Sequence, residues 1–227
     1  MISKCFFISL TLIFCSSCFG QQLKSLAESG DSKAQFDYAL QIYSESMQAP
    51  KCDEILSWVK KSAKSNYSEA QFFLGRAFYK GECVSIDFEK SYYWYKKAYK
   101  NGNSEAGYNV GKQLFTGKGV AKNRDKAVEI LKKVAKDGEN LAQSYLSTIY
   151  MKGWHGPKDI KLGLYYLTMA GESGDVFSIQ DLASRYQKGV DVKEDVEKAI
   201  YWYKKLLNTP FKRQAKDELC KLDKAYC

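Results

Sequence analysis

The chain of 227 residues is 45% hydrophobic, 27% charged and 15% aromatic with only 3 prolines, a composition that supports a buried core and excludes a disordered chain. Its 35 Lys and Arg against 26 Asp and Glu give +9 at neutral pH, which favours acidic surfaces as partners and says nothing of fold. The single histidine, His155, cannot supply the imidazoles of an ordinary catalytic zinc site and leaves little room for a Ser-His or Cys-His nucleophile pair.

The first twenty residues differ in kind from the rest. Lys4 gives a short positive region, and Cys5 to Phe14 form an apolar run interrupted only by Ser9 and Thr11. This predicts a signal peptide over residues 1–20, because the run is too short to span a bilayer and no later stretch is long and apolar enough to do so. Cleavage after Gly20 places small residues, Cys18 and Gly20, before the cut and starts the mature chain at Gln21; losing Lys4 takes the net charge from +9 to +8. A second reading stays open, in which Ser16-Ser17-Cys18 is a poor lipobox that makes Cys18 a lipidated N-terminus, although Cys15 stands where such signals take a branched apolar residue. Beyond the leader the cysteines are Cys52, Cys83, Cys220 and Cys227, an even number that in an exported chain predicts disulfides.

The remainder aligns with itself at a shift of 36 residues without a gap. One column holds Ala34, Ala70, Ala106, Ala142 and Ser178. Eleven residues later stand Gly81, Gly117, Gly153 and Gly189, with Glu45 as the departure in the first unit. Such a period, with two helix-length segments per unit, marks an α-solenoid. Residues 70–80 put Ala70, Leu74, Ala77 and Phe78 on one helix face, which predicts a first helix (A) stopped by Gly81 in the left-handed conformation. Asp87, Asn123, Asp159 and Asp195 then precede a second helix (B), as in Lys90 to Lys100, where a short acceptor side chain satisfies free backbone N–H groups. Helix B carries the column Trp58, Trp94, Ile130, Tyr166 and Trp202, and Asn66, Gly102, Gly138 and Gly174 end it.

These columns resemble the SEL-one-like repeat family, short relatives of the tetratricopeptide repeat. The second unit is most similar, with Ala70-Gln-Phe-Phe-Leu-Gly75, Tyr79-Lys-Gly81, Lys90-Ser-Tyr-Tyr-Trp-Tyr-Lys-Lys-Ala98 and Gly102. The third unit repeats it through Gly117-Lys-Gly-Val120 and Gly138, and the fifth through Glu197 to Lys205. The resemblance implies an all-α, right-handed α/α solenoid of 36-residue helix pairs, eleven or twelve helices long. It forms a single domain over residues 21–227, with units starting near 34, 70, 106, 142 and 178 and half units at both ends. Two places depart from the pattern: the first unit, with Pro50 and no glycine after helix A, and the fourth, with Trp154-His-Gly-Pro157 in its turn. Some cysteine-rich members are linked to penicillin binding, but Tyr99 and Gly107 stand where their cysteines would, and that property is not carried over.

In such a scaffold helix A lines the concave face, which directs the search for a partner site to Phe36, Phe72, Arg76, Tyr108, Lys112, Lys152 and Lys188. A groove mixing aromatics with Arg and Lys is what a protein-binding surface tends to look like, although the aromatics could equally pack between repeats. Helix B carries a lysine ladder, Lys60-Lys61, Lys96-Lys97, Lys132-Lys133 and Lys204-Lys205, broken by Thr168-Met169. A ladder of this kind is either a solvated face or an attraction for an acidic protein or anionic lipid. Nucleic acid is a poor fit, since export removes the chain from it and the ladder lacks arginine forks for bases. There is no phosphate loop, nucleophile elbow, zinc-type cysteine pair or other cofactor motif, so neither an enzyme nor a cofactor is expected.

The resemblance therefore implies an exported bacterial binding protein, monomeric and periplasmic, whose partner is another protein with an acidic surface. The favoured form is an immunity-type inhibitor of an antibacterial toxin, since exported members of this size include such inhibitors. A secreted or surface adaptor for host proteins and a periplasmic hydrolase or peptidoglycan-associated factor are the alternatives, with membrane attachment only through lipidation at Cys18, as an outer-membrane lipoprotein. Stacking brings the turns that carry Cys52 and Cys83 side by side, which predicts that pair. Cys220 and Cys227 can pair only if the chain turns back near Ala225, since an unbroken helix would hold their Cα atoms on the order of 10 Å apart.

Overall fold

The computed structural model describes the backbone of residues 13–46 and 50–227, and the side chains from residue 20 onward within those segments. The front of the expected leader, residues 1–12, lies outside them, and Gly20 falls within a helix. Among the described residues all regular structure is helical. Two compact units divide at Asn103 and Ser104, which is a repeat boundary. The first contains α1 (Ile13–Glu28), α2 (Ser32–Glu45), α3 (Cys52–Lys64), α4 (Ser68–Lys80) and α5 (Phe88–Lys100). The second contains α6 (Ser104–Thr116), α7 (Arg124–Lys136), α8 (Asn140–Lys152), α9 (Ile160–Glu172), α10 (Val176–Lys188), α11 (Val196–Lys205) and α12 (Lys212–Leu222). Within each unit consecutive helices pack as antiparallel pairs.

Helix starts and stops follow from the side chains present. Asp87, Asn123, Asp159 and Asp195 each accept from the backbone N–H three residues on, at 2.8 to 2.9 Å, capping α5, α7, α9 and α11. Helices α4, α8 and α10 end on Gly81, Gly153 and Gly189 with φ of 80°, 66° and 67°, a region that costs a side chain but not glycine. Asn66 takes the same conformation after α3, with φ 65°. In the first repeat Cys52 is the first residue of α3 and does not sit in the preceding turn as expected; Lys51 precedes it at the N-cap position and makes no side-chain capping bond.

From α4 and α5 onward each helix pair closes over small residues, whereas in the first pair, α2 with α3, the helix B column holds Ile55. The inward columns read Ala39, Gly75, Gly111, Ser147 and Ala183 on helix A and Ser91, Ala127, Gly163 and Ala199 on helix B, and all of them are buried. Around this contact the first unit's core gathers Phe36, Ile55, Val59, Phe73 and Leu74, and the end of the second unit gathers Leu167, Ile179, Leu182, Trp202, Leu206 and Leu219.

Three glutamines of one column, Gln35, Gln71 and Gln143, tie α2, α4 and α8 each to the helix before it, while Gly107 and Ile179 hold that position in α6 and α10. The buried amides donate to the carbonyls of Ala27, Ala63 and Ala135 at 3.2, 3.0 and 2.8 Å, a second bond to carbonyls that also accept from the backbone N–H of Gly30, Asn66 and Gly138 at the helix end. Gln71 Oε1 in turn accepts from Asn101 Nδ2 at 2.8 Å. The equivalent of Asn101 is Ser65 for Gln35 and Ser173 for Gln143, and in both cases the buried Oε1 has no partner. Serine is too short to reach. Ser173→Asn is therefore expected to stabilise the chain by roughly 1 kcal/mol and Asn101→Ala to cost about 1 to 2 kcal/mol, both readable in urea unfolding. Opposite signs would show that the paired Oε1 is irrelevant.

Candidate functional site

Within the second unit a groove of about 600 Å³ opens between α8 and α10. One wall is the face of α8 that presents Leu141, Ser144, Thr148 and Lys152, and the other is the leading face of α10 with Phe177, Ser178, Asp181 and Arg185. The two ends differ in chemistry.

At the end where both helices begin, Leu141 and Phe177 stand at the same repeat position, one residue before the alanine column. In the preceding repeats that position holds Lys33, Glu69 and Glu105, ordinary solvated residues at a helix start. Leu141 is 40% exposed and Phe177 68%, its ring edge-on to Phe211 at 5.7 Å. Exposed apolar side chains at equivalent positions on facing walls are unlike scattered surface leucines.

The middle of the groove is hydroxyl-rich. Ser144 Oγ donates to the Leu141 carbonyl at 3.2 Å and Thr148 Oγ1 to the Ser144 carbonyl at 3.2 Å, so both oxygens retain lone pairs to accept from a ligand. Asp175 caps α10, accepting from the Ser178 N–H at 2.9 Å and from its hydroxyl at 2.5 Å.

The far end is charged. Arg185 is held between Asp181, at 2.9 Å, and Asp191, while Lys152 and Lys158 have no carboxylate within ion-pair distance among the described residues. Lys158 follows the fourth repeat's unusual turn, at the position that Lys122 holds in the third repeat. The turn is fastened to α7 by Arg124 Nη1, which donates to the Trp154 carbonyl at 2.8 Å, and by His155 Nε2 against Asp125 Oδ1, also at 2.8 Å. It then folds back so closely that a Cβ on Gly153 would lie 3.1 Å from Lys158 Cγ.

The residues expected to form the site divide between the two units. Phe36, Phe72 and Arg76 belong to the first unit, and Tyr108, Lys112, Lys152 and Lys188 to the second. Phe36 is buried against Phe73 and Tyr67, with ring centroids 6.0 and 5.7 Å away, because its column points between repeats and not outward. Phe72 packs on Tyr95 and Tyr108 on Tyr145, at 5.5 and 6.1 Å. Arg76 is ion-paired with Glu82 at 3.5 Å, and Lys112 lies over the Tyr108 ring. Lys188 is exposed but stands outside the groove. Only Lys152 lines it. Phe177, Lys158, Asp181, Arg185 and Asp191 were missed, although the switch from charged to apolar residues at positions 141 and 177 was a signal available in the sequence.

The lysine ladder rests on aromatic rings. Lys61 lies 4.0 Å from the centroid of Trp58, Lys97 5.5 Å from Trp94 and Lys205 5.4 Å from Trp202. A hydrogen bond from Lys205 holds the Glu172 carboxyl below its usual range and raises the lysine. These contacts occupy part of the ladder internally. The structure joins Cys52 to Cys83 and Cys220 to Cys227, with Cα separations of 5.1 and 4.7 Å. Among the described residues no cluster of His, Cys, Asp and Glu is arranged to hold a metal, and no helix is long and apolar enough to cross a membrane.

Helix pairs in tandem, closed by glycine and asparagine stops and presenting a groove between successive first helices, define an α/α solenoid, a protein-binding scaffold. Residues 68–103, 104–139, 140–175 and 178–207 match the Sel1 repeat, and the protein belongs to the Sel1-repeat family. A Sel1-repeat protein from Oxalobacter formigenes is similar at 26% identity and a TM-score of 0.73 over 89% of each chain. The protective antigen c5321 of uropathogenic Escherichia coli, with an SLR fold, is similar at 26% identity and a TM-score of 0.76 over 89% of this chain, which spans 43% of that protein's length. The immunity protein Pa5087 from Pseudomonas aeruginosa shares the fold, at 20% identity and a TM-score of 0.55 over 86% of this chain and 79% of its own. No curated protein matches the sequence.

Proposed function

We propose that this is an exported, non-enzymatic binding protein of the periplasm, in which the groove between α8 and α10 grips a segment of another protein, as an immunity-type inhibitor of an antibacterial toxin. The observation that carries the groove reading is the exposed pair Leu141 and Phe177 on the two walls at one end of a groove that is otherwise lined by hydroxyl and charged groups, the mixture that a protein interface buries at its centre. The two disulfides suit an oxidising compartment. That Pa5087 is an immunity protein supports the inhibitor form only as an instance of what this fold does elsewhere. A secreted or surface protein that engages a host is the second reading, favoured by the likeness to a protective antigen of a pathogen.

The test is retention of the natural partner, captured from the periplasm of a producing strain and then titrated. Phe177→Asp and Thr148→Arg, both on the groove walls, are expected to weaken its binding about 100-fold with the melting temperature unchanged. Wild-type affinity in both variants would move the site elsewhere. Protection of a susceptible strain against the captured partner separates the inhibitor from the host adaptor.

A further inference from the structure

We infer that the groove's occupant is an extended protein segment presenting one apolar side chain and one carboxylate roughly 16 Å apart, the first seated between Leu141 and Phe177 and the second on Lys152 and Lys158. This rests on the groove reading above and names the chemistry of its partner.

The spacing comes from α8 itself. Leu141 and Lys152 lie eleven residues apart on one helix, about 16 Å at 1.5 Å per residue. An extended chain covers that distance in about five residues. Extension is favoured by the groove's middle, where Ser144 and Thr148 have already spent their hydroxyl protons on helix carbonyls and offer only acceptors. An extended segment has free backbone N–H groups to meet them, whereas a helix has used its own.

The sign of the charge comes from which groups are already matched. Asp175 is satisfied at the positive end of the α10 dipole, and Asp181 and Asp191 share Arg185. Lys152 and Lys158 have no such partners among the described residues, and both line the groove, Lys158 with its Cγ 3.1 Å from where a Cβ on Gly153 would stand. The Asp181–Arg185–Asp191 group carries one net negative charge, so a strongly acidic segment would be repelled. One carboxylate is accommodated. It can belong to an Asp or Glu side chain or to a chain terminus, since both present the same two oxygens to an ammonium.

The test uses the disulfide-intact mature protein, labelled with 15N, and three hexapeptides titrated by NMR. The first is Trp-Gly-Ser-Gly-Ser-Glu, N-acetylated and C-amidated; the second has Gln for Glu; the third has Gln and a free C-terminal carboxylate. The first is expected to shift α8 and α10 resonances and to bind at least tenfold more tightly than the second. Lys152→Glu and Lys158→Glu are each expected to remove that difference without changing the melting temperature. Binding by the third as tight as by the first supports the inference and names the chain end as a sufficient source; weak binding by the third assigns the carboxylate to a side chain. Equal binding by the first and second, or no binding of the first at millimolar concentration, overturns it. Two failures are separable with the natural partner: loss of capture in Thr148→Arg but not in the lysine reversals leaves the groove reading standing and removes this one, whereas capture by Thr148→Arg removes the groove reading itself.

Discussion

Replacing Cys52 and Cys83 together by alanine is expected to destabilise the first unit by about 3 to 4 kcal/mol and to lower its melting temperature by on the order of 10 °C. The residues lie 31 apart in sequence, and the crosslink removes the closure entropy of that loop from the unfolded chain. It acts where the repeat is otherwise weakest. No glycine ends α2, Lys51 offers no cap to α3, and Pro50 precedes it, so the covalent link takes over what turn chemistry supplies in the other repeats. The pair Cys220 and Cys227, only 7 apart, closes a much shorter loop and is expected to contribute about 2 to 3 kcal/mol, chiefly by holding Tyr226 on the terminal core. Thermal melts of the two double variants, compared without reductant, check both values. A first variant as stable as the parent would mean that the unfolded chain is already constrained without the bond.

Gly75→Leu is expected to cost about 3 kcal/mol or more, and Gly75→Ala about 1 kcal/mol net, against the usual rule that alanine improves a helix by roughly that amount. A Cβ at Gly75 would lie 2.5 Å from Tyr95 Cδ1 and 2.8 Å from Cε1, and Tyr95 is itself buried under Phe72. The ring has nowhere to turn. Gly111 is held in the same way, with Leu131 Cγ 2.7 Å from its would-be Cβ, so the equivalent change in the second unit is expected to behave alike. Urea titration of the four variants measures this. Stabilisation by alanine at both positions would show that the helices separate easily and that their close approach is not what selects glycine.

Much of the fold was legible along the chain because a repeat writes the same local instruction several times. Asp87, Asn123, Asp159 and Asp195 cap helices through their own side chains, and Gly81, Gly153 and Gly189 stop them through their own backbone freedom; neither depends on anything distant, so period and residue type together determined the helix pairs. The Cys52–Cys83 pairing followed from the same register, even though Cys52 opens α3 and does not lie in the turn itself, whereas Cys220–Cys227 needed the chain to turn back after α12. The direction in which a side chain points was not local in this sense. Phe36, Phe72 and Tyr108 share a column that looks exposed on an isolated helix, yet each meets an aromatic ring of a neighbouring helix, which buries Phe36 and half-buries Phe72 and Tyr108. The groove required tertiary structure for a further reason. Its walls come from α8 and α10, two helices apart in the chain, and its unpaired cations are set by which carboxylates Arg185 has already engaged. Sequence alone supplied the irregularity of Trp154-His-Gly-Pro157; packing decided that Arg124 and Asp125 fasten it to α7.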